Sequence, residues 1–466
     1  MPRIAWFSPL EQGKGLKSSS FSRAVLARAP QDWELELFVD ESGLKALGGG
    51  AAPQLYDFPV FVYHQAFLRD SIKPFDVFCF QLENDARCAY VRRSLQLWPG
   101  VAICHDAGFS ELELNAFGYS TTGAALNDRL LELHGDAAPA LGDWQARGWS
   151  IESMSSKYLS SADLSGCTAL VATTERAKQE LAAGNPRTPV GITAFPVKAV
   201  RKEAVAANRA ELRQKLGLEL GVPIVATCAD VFVEERMMLI LEAFVQLHQT
   251  LAAGKTTALA QPLVHLVWIL SDSTKVKQVQ RLVESYGADL PKHSVHIVCA
   301  DGALSSLSWI DVGDVFLAPR FSAVRGISLE VYGALARGIP SIVPRFGAEL
   351  DIPTSSALHV SVGASECAEI ASCINELLTN RDLYQTVSDN ARSFTEMVCD
   401  PGAVCEDLRV LFASDRQRLH RDLARRRTQY GEHRREFSDE LLAELGESNL
   451  AERAVRDFSW MHFGRQ

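Results

Sequence analysis

The stretch GDVFLAPRFSAVRGISLEVYGALARGIPSIV, residues 313–343, decides how this chain is read. An apolar run, DVFLAP (314–319), leads into a polar loop, and a helical pattern follows. Gly338 and Pro340 then break the helix, as expected of a stop signal, and PSIVP (340–344) is a second short apolar run. Strand, helix, strand is the unit from which parallel sheets are built. Gly326 and Ser328 open the helix, so its first backbone amides are free of bulky neighbours and suited to an anion such as phosphate.

Working outward, the same alternation recurs. In the first half, RIAWF (3–7), ELELFV (34–39), DVFCF (76–80), GVAIC (100–104) and TALVATT (168–174) read as buried strands. FSRAVLARA (21–29) and ARCAYVRRSLQLW (86–98) read as helices between them. The pattern restarts after about residue 200 with PIVATCA (223–229), LVHLVWIL (263–270), VHIVCA (295–300), DVFLAP, PSIVP and ALHVSV (357–362). ERMMLILEAFVQLHQTLAA (235–253) and SECAEIASCINELLTN (365–380) are the long helices among them. The expectation is two α/β domains in series, 1–198 and 199–412, with the polar run 195–218 as linker. Residues 413–466 form an Arg-rich helical tail, DRQRLHRDLARRRTQYGEHRREF and beyond. The plainer reading of that tail is a solvated helix. The sharper one is a basic face for an anionic membrane surface or an acidic protein partner.

The bulk numbers agree. A chain of 466 residues exceeds one ordinary core, and 47% hydrophobic with 22% charged residues is globular. A net charge of −10 argues against nucleic-acid binding, which needs a broad basic surface. The ten cysteines form no C-x-x-C pair and several sit in apolar runs, which suits a reducing compartment. His293, His296 and Cys299 are the nearest approach to a metal cluster, but residues three apart on a strand face opposite ways, so no metal is expected. MPRIAWFSPL is no secretory signal, and no stretch reaches the ~20 apolar residues of a membrane span. A cytoplasmic protein is expected, peripheral at the inner membrane face if the tail binds lipid.

Local strings make the outline specific. FQLENDARCAYVRRSLQLWPGVAICHDAGF (80–109) carries Gln81, Leu82 and Asn84 at a strand end, Pro99-Gly100 after a helix, and His105-Asp106 after the next strand. With ALVATTERAKQELAAG (169–184) and the 313–343 stretch, it resembles the bacterial retaining glycosyltransferases of the large fourth family. The resemblance runs from residue 3 to about 412. It implies the GT-B fold: two Rossmann-like parallel-sheet domains facing a cleft, the first for the acceptor and the second for a nucleotide-sugar donor. It also implies transfer of a sugar, with retention and without a metal, to a glycan, glycolipid or protein acceptor in polysaccharide biosynthesis. Fold alone does not fix such a function.

The site residues follow from the same resemblance. His105 and Asp106 are the catalytic candidates, placed beyond a strand's carboxyl end where α/β ligands sit. Gln81 and Asn84 are acceptor-side candidates. Gly13, Lys14 and Gly15, in the first strand–helix loop, with Arg236, Arg325, Gly326, Ser328 and Glu330, are donor-side candidates. Lys17 and the serine run after it are further possible phosphate contacts. Against each stands a structural reading: a lone His is commonly a core residue, and Glu330 at a helix start complements the macrodipole.

The family's donor clamp is altered. Asp230 stands where an Arg is common and Glu235 where a Lys is common, leaving Arg236 as the basic residue in that string. The family's paired acids, eight positions apart, fall on Arg325 and Gly333. Negative charge beside a leaving diphosphate opposes the charge that develops there. Three readings are therefore weighed: an active glycosyltransferase, a catalytically inactive relative that binds a partner or glycan, and another enzyme of the same fold such as an epimerase. An NAD domain is disfavoured, because EQGKGLKSSS supplies two of the three glycines of G-x-G-x-x-G.

Overall fold

The computed structural model describes residues 2–11, 15–48, 53–117, 164, 166–229, 236–253, 263–300, 305–322 and 325–414. The Arg-rich stretch beyond 414 lies outside them, as do Gly13, Lys14, Asp230 and Glu235. The described residues form two compact units, those of 2–193 with 402–414, and those of 194–401.

The first unit holds eight strands: β1 (Arg3–Phe7), β2 (Glu34–Val39), β3 (Gln54–Leu55), β4 (Phe58–Val62), β5 (Val77–Leu82), β6 (Val101–Cys104), β7 (Ala169–Ala172) and β8 (Val190–Ile192). They lie in the order β3-β4-β2-β1-β5-β6-β7-β8. Neighbours are parallel except β3 and β4. The central strands are mostly apolar because both faces are covered, and Arg3 and Glu36, buried among them, pair with each other. Their aromatic residues fill one side: Phe7 stacks on Phe38 at 4.8 Å, and Phe78 on Trp98 at 5.2 Å. Pro99-Gly100 leads into β6 at a point of close approach. A Cβ on Gly100 would stand 2.4 Å from the Phe78 carbonyl oxygen, so a side chain there would displace the strand.

The helix Pro401–Ser414 belongs to this first unit, which moves the expected boundary at 412 back to about 401. The cause is its apolar face. Val404, Cys405, Leu408 and Phe412 are buried at helical spacing. Phe412 meets Trp33 at 5.4 Å, and Asp407 accepts a hydrogen bond from Thr193 at 3.2 Å.

The second unit is a six-stranded parallel sheet: β9 (Ile224–Cys228), β10 (His265–Leu270), β11 (Val295–Cys299), β12 (Val315–Leu317), β13 (Ser341–Pro344) and β14 (Leu358–Val360). Their order is β11-β10-β9-β12-β13-β14. All six coincide with runs read from the sequence. The helices Met237–Ala252 and Glu366–Thr379 cover one face, burying Phe244, Leu247, Ile370 and Ile374 against Trp268 and Val315.

The polar run expected as a linker instead begins this unit. Its helix, Lys202–Lys215, is tied to the sheet by arginines. Arg213 is buried and donates to the carbonyls of Val312, Leu220 and Val222 and to Asp314. Arg209 donates to the Gly313 carbonyl at 2.8 Å. Gly313 stands where the resembled family often has Ala; here a Cβ would lie 2.7 Å from that of Ala226. Among the described residues, no helix is long and apolar enough to cross a membrane.

Candidate functional site

Each sheet has a point where the strand order reverses, and open α/β sheets place ligands beyond the strands' carboxyl ends there. In the first unit this lies between β1 and β5. Lys17 begins the helix Lys17–Leu26 after β1, Glu83 and Asn84 follow β5, and His105 and Asp106 follow β6.

These residues meet in one buried polar cluster. Lys17 Nζ lies 2.5 Å from Asp106 Oδ1 and 3.8 Å from Glu83 Oε1. Glu83 Oε2 accepts from the Ser18 amide at 2.9 Å and from its hydroxyl at 3.0 Å. The Asn84 amide donates to Asp106 Oδ2 at 2.9 Å. Burial pushes the Glu83 carboxyl above its ordinary range; Lys17 pulls it back and Asp106 adds to the rise.

The structure revises three readings here. His105 does not project from its strand end. It is 0% exposed, its Nε2 lies 2.8 Å from Gln81 Oε1, and its ring packs on Phe21 at 5.1 Å. Burial first, then the Lys17 charge, lowers its pKa to about 3, so the imidazole is neutral at neutral pH. Asn84 is occupied as a helix cap: its Oδ1 accepts from the amides of Glu111 and Leu112, at 2.8 and 3.2 Å. Lys17 is committed to carboxylates instead of standing ready for phosphate. Gln81 is fully buried beside His105, whereas Gly15 is exposed in its loop with a left-handed φ of 67°.

In the second unit the reversal falls between β9 and β12. The helix Leu329–Arg337 follows β12. Ser328 caps it, accepting from the Val331 amide at 3.3 Å and donating to Glu330 Oε2 at 3.1 Å. Arg325 donates its amide to Ser322 Oγ at 3.1 Å. The Gly326 carbonyl accepts from Arg320, which also pairs with the buried Glu349 at 3.1 Å. Arg320, Arg325, Gly326, Ser328 and Glu330 thus form one loop-and-cap assembly.

Arg236 has its own partner, Glu366. Its two terminal nitrogens each lie 2.6 Å from an oxygen of Glu366. Its guanidinium sits 5.6 Å from the Phe321 ring, and Phe321 stacks on Phe346 at 4.1 Å.

With both sheets and their polar ends in view, solved structures place the architecture. Anabaena HepE in complex with UDP and glucose aligns over 89% of this chain and 100% of its own, at 13% identity and TM-score 0.56. Sucrose-phosphate synthase from Thermosynechococcus elongatus aligns over 89% and 99%, at 12% identity and TM-score 0.59. WaaG, a glycosyltransferase of lipopolysaccharide biosynthesis, aligns over 86% and 98%, at 13% identity and TM-score 0.52.

This is a GT-B fold.

No family model matches the chain, and no curated protein matches it. At these identities the likeness shows the fold, and the GT-B chain's own residues must carry the rest. Two of them stand at positions expected on the donor side. Arg236, the basic residue left near the expected diphosphate, is neutralised by Glu366. Gly333, where the resembled family places its second acid, is packed: a Cβ there would lie 2.6 Å from Leu307 Cδ2.

Sequence reasoning missed Glu83, Glu366 and the Phe321–Phe346 stack. Glu83 had a local signal, an acid inside QLEND at a strand end. Glu366 had none, since its partner lies 130 positions away. Among the described residues, no three His, Cys, Asp or Glu side chains converge as a metal would require. His296 instead pairs with His265 across β10 and β11, at 2.9 Å.

Proposed function

We propose that this GT-B chain is a glycosyltransferase that moves a sugar from a nucleotide sugar to a glycan, glycolipid or protein acceptor. The observation that carries the proposal is the organised polar site at the strand-order reversal of each sheet. In the first unit it is the Lys17–Glu83–Asp106 cluster with His105 and Gln81 beneath it. In the second it is the Ser328-capped helix start, whose amides and dipole suit a diphosphate. HepE, of the same fold, has been solved with UDP and with UDP-glucose, which supports a nucleotide-sugar donor.

Under this reading no metal is needed, because helix amides and the helix dipole offset the diphosphate. His105, held neutral, positions Gln81 and the strand end instead of donating a proton. Asp106 and Glu83 set the shape and charge of the acceptor side. The reaction belongs to cytoplasmic polysaccharide building, with the basic tail drawing the chain toward an anionic membrane or a protein partner.

A second reading is favoured by Arg236 and Gly333. A guanidinium already bound by a buried carboxylate, and an acid position filled by Leu307, suit a chain that keeps the fold and binds a glycan or protein without turnover. Calorimetric titration of the purified protein with UDP, GDP, ADP, TDP and CMP, and their sugars, separates the two. Selective binding of one base, followed by acceptor-dependent nucleotide release, supports the enzyme. A folded protein that binds none of them supports the second reading.

A further inference from the structure

Arg236 and Glu366 form a fork-to-fork pair, two parallel N–H···O bonds of 2.6 Å each. Glu366 is 0% exposed and also accepts from the Gly363 amide at 3.2 Å, whereas the Arg236 side chain is 23% exposed. The pair sits where two helices begin. Arg236 caps Met237–Ala252, and Glu366 is the first residue of Glu366–Thr379. Helix starts of this length attract anions, and the guanidinium adds a full positive charge. The carboxylate of Glu366 is the anion that now answers the guanidinium.

The surroundings hold the pair in place. Arg236 has a left-handed backbone, with φ of 53°, which a non-glycine residue keeps only when its neighbours enforce it. Its guanidinium lies over Phe321, which stacks on Phe346, so a column runs from the residue opening the helix after β9, across the loops following β12 and β13, with Glu366 following β14. The Nη1–Nη2 edge of the guanidinium is engaged by Glu366. A phosphate that takes this edge in a bidentate grip replaces the carboxylate oxygens.

We propose that Glu366 is a specificity-determining residue: an internal competitor that occupies Arg236 and sets how tightly the second unit holds the diphosphate of a nucleotide. The proposal rests on the reading that this unit binds a nucleotide sugar. A diphosphate gains the Arg236 contact by displacing Glu366, so removing the carboxylate releases binding that the wild type withholds. If the pair were merely a pin between two helices, removing Glu366 would loosen the unit and gain nothing in affinity.

The test is a double-mutant cycle read by calorimetry with UDP, GDP, ADP and TDP. Glu366→Gln is expected to bind the preferred diphosphate at least tenfold tighter than the wild type. Arg236→Ala is expected to cost less than threefold in the wild-type background and tenfold or more in Glu366→Gln. Binding by Glu366→Gln where the wild type shows none supports the proposal in its strongest form. A wild type that binds and a Glu366→Gln variant that binds equally or more weakly overturns it, leaving the proposed function intact. No binding by either folded protein removes the proposed function and this inference together. Should Glu366→Gln fail to fold, Glu366→Ala replaces it, because Arg236 is exposed enough to turn to water. Failure of both to fold makes Glu366 a structural pin and overturns the proposal.

Discussion

Lys17 Nζ and Asp106 Oδ1 lie 2.5 Å apart, joining the helix after β1 to the loop after β6 across 89 positions of sequence. Both side chains are buried, and Glu83 stands 3.8 Å from the same amine. Removing one partner of a buried pair strands the other charge and costs about 3–5 kcal/mol. Lys17→Met is therefore expected to destabilise the protein by about that much, because two carboxylates lose their cation. Lys17→Met with Asp106→Asn should cost less than the sum of the two single changes, since Glu83 is then the one carboxylate of the cluster left without its cation. Urea unfolding of the four proteins measures this, and strict additivity would show the pair to be uncoupled.

His105 gives a pH dependence with a definite sign. In the native protein its pKa is lowered to about 3, by burial and then by Lys17; in the unfolded chain it titrates near the ordinary 6.5. Between these values the unfolded chain takes up a proton that the native one refuses. The stabilisation is fully present above 6.5 and is lost as pH falls toward 3, at up to about 1.4 kcal/mol per pH unit. Stability of the wild type measured from pH 7 to pH 4.5 should fall more steeply than that of His105→Gln, by close to one proton. Equal slopes would mean that the ring is protonated in the native state.

Gly333 is the position where the resembled family places its second acid. Restoring that acid is not expected to restore binding here. A Cβ would meet Leu307 at 2.6 Å, so Gly333→Glu must push a packed leucine aside and bury a carboxylate. Overpacking costs about 1–3 kcal/mol, against a helix-propensity gain of about 0.5–1 kcal/mol. The expected result is a net loss of stability with nucleotide affinity changed less than threefold. Gly333→Glu combined with Leu307→Ala should recover part of the stability. A tenfold tighter nucleotide complex from the single change would show that Leu307 yields easily and that the acid was the missing contact.

How much was legible follows from where the physics is local. RIAWF and ELELFV match β1 and β2 residue for residue, because central parallel strands are buried on both faces and read as short, mostly apolar runs. β3, β4 and β8 were missed. Two are only two or three residues long, β8 is largely exposed, and β4, although apolar, contains Pro59, which argues against a central strand. At the site, the strand-end rule brought Gln81, Asn84, His105 and Asp106 to one place. It did not show that Asn84 caps a helix or that His105 lies beneath the surface, because both depend on neighbours distant in sequence. Glu366 and the C-terminal helix's attachment to the first unit were invisible for the same reason.

Arg213 shows the same limit and supplies the last prediction. In sequence it is one basic residue in a polar helix that looks like a linker. In the fold it is buried, and its guanidinium satisfies the carbonyls of Val312, Leu220 and Val222 together with Asp314, which also accepts from the Ile224 amide. Those groups cluster just before β9 and β12, so a single side chain closes the amino-terminal edge of the sheet. Arg213→Met is expected to cost about 3–5 kcal/mol, since it takes the buried cation from Asp314 and the donor from several carbonyls. Arg213→Lys should recover little of this, because one compact ammonium cannot reach acceptors spread around a planar fork. Thermal and urea unfolding of both variants decide it. A lysine variant as stable as the wild type would show that charge alone, and not the fork geometry, holds this helix to the sheet.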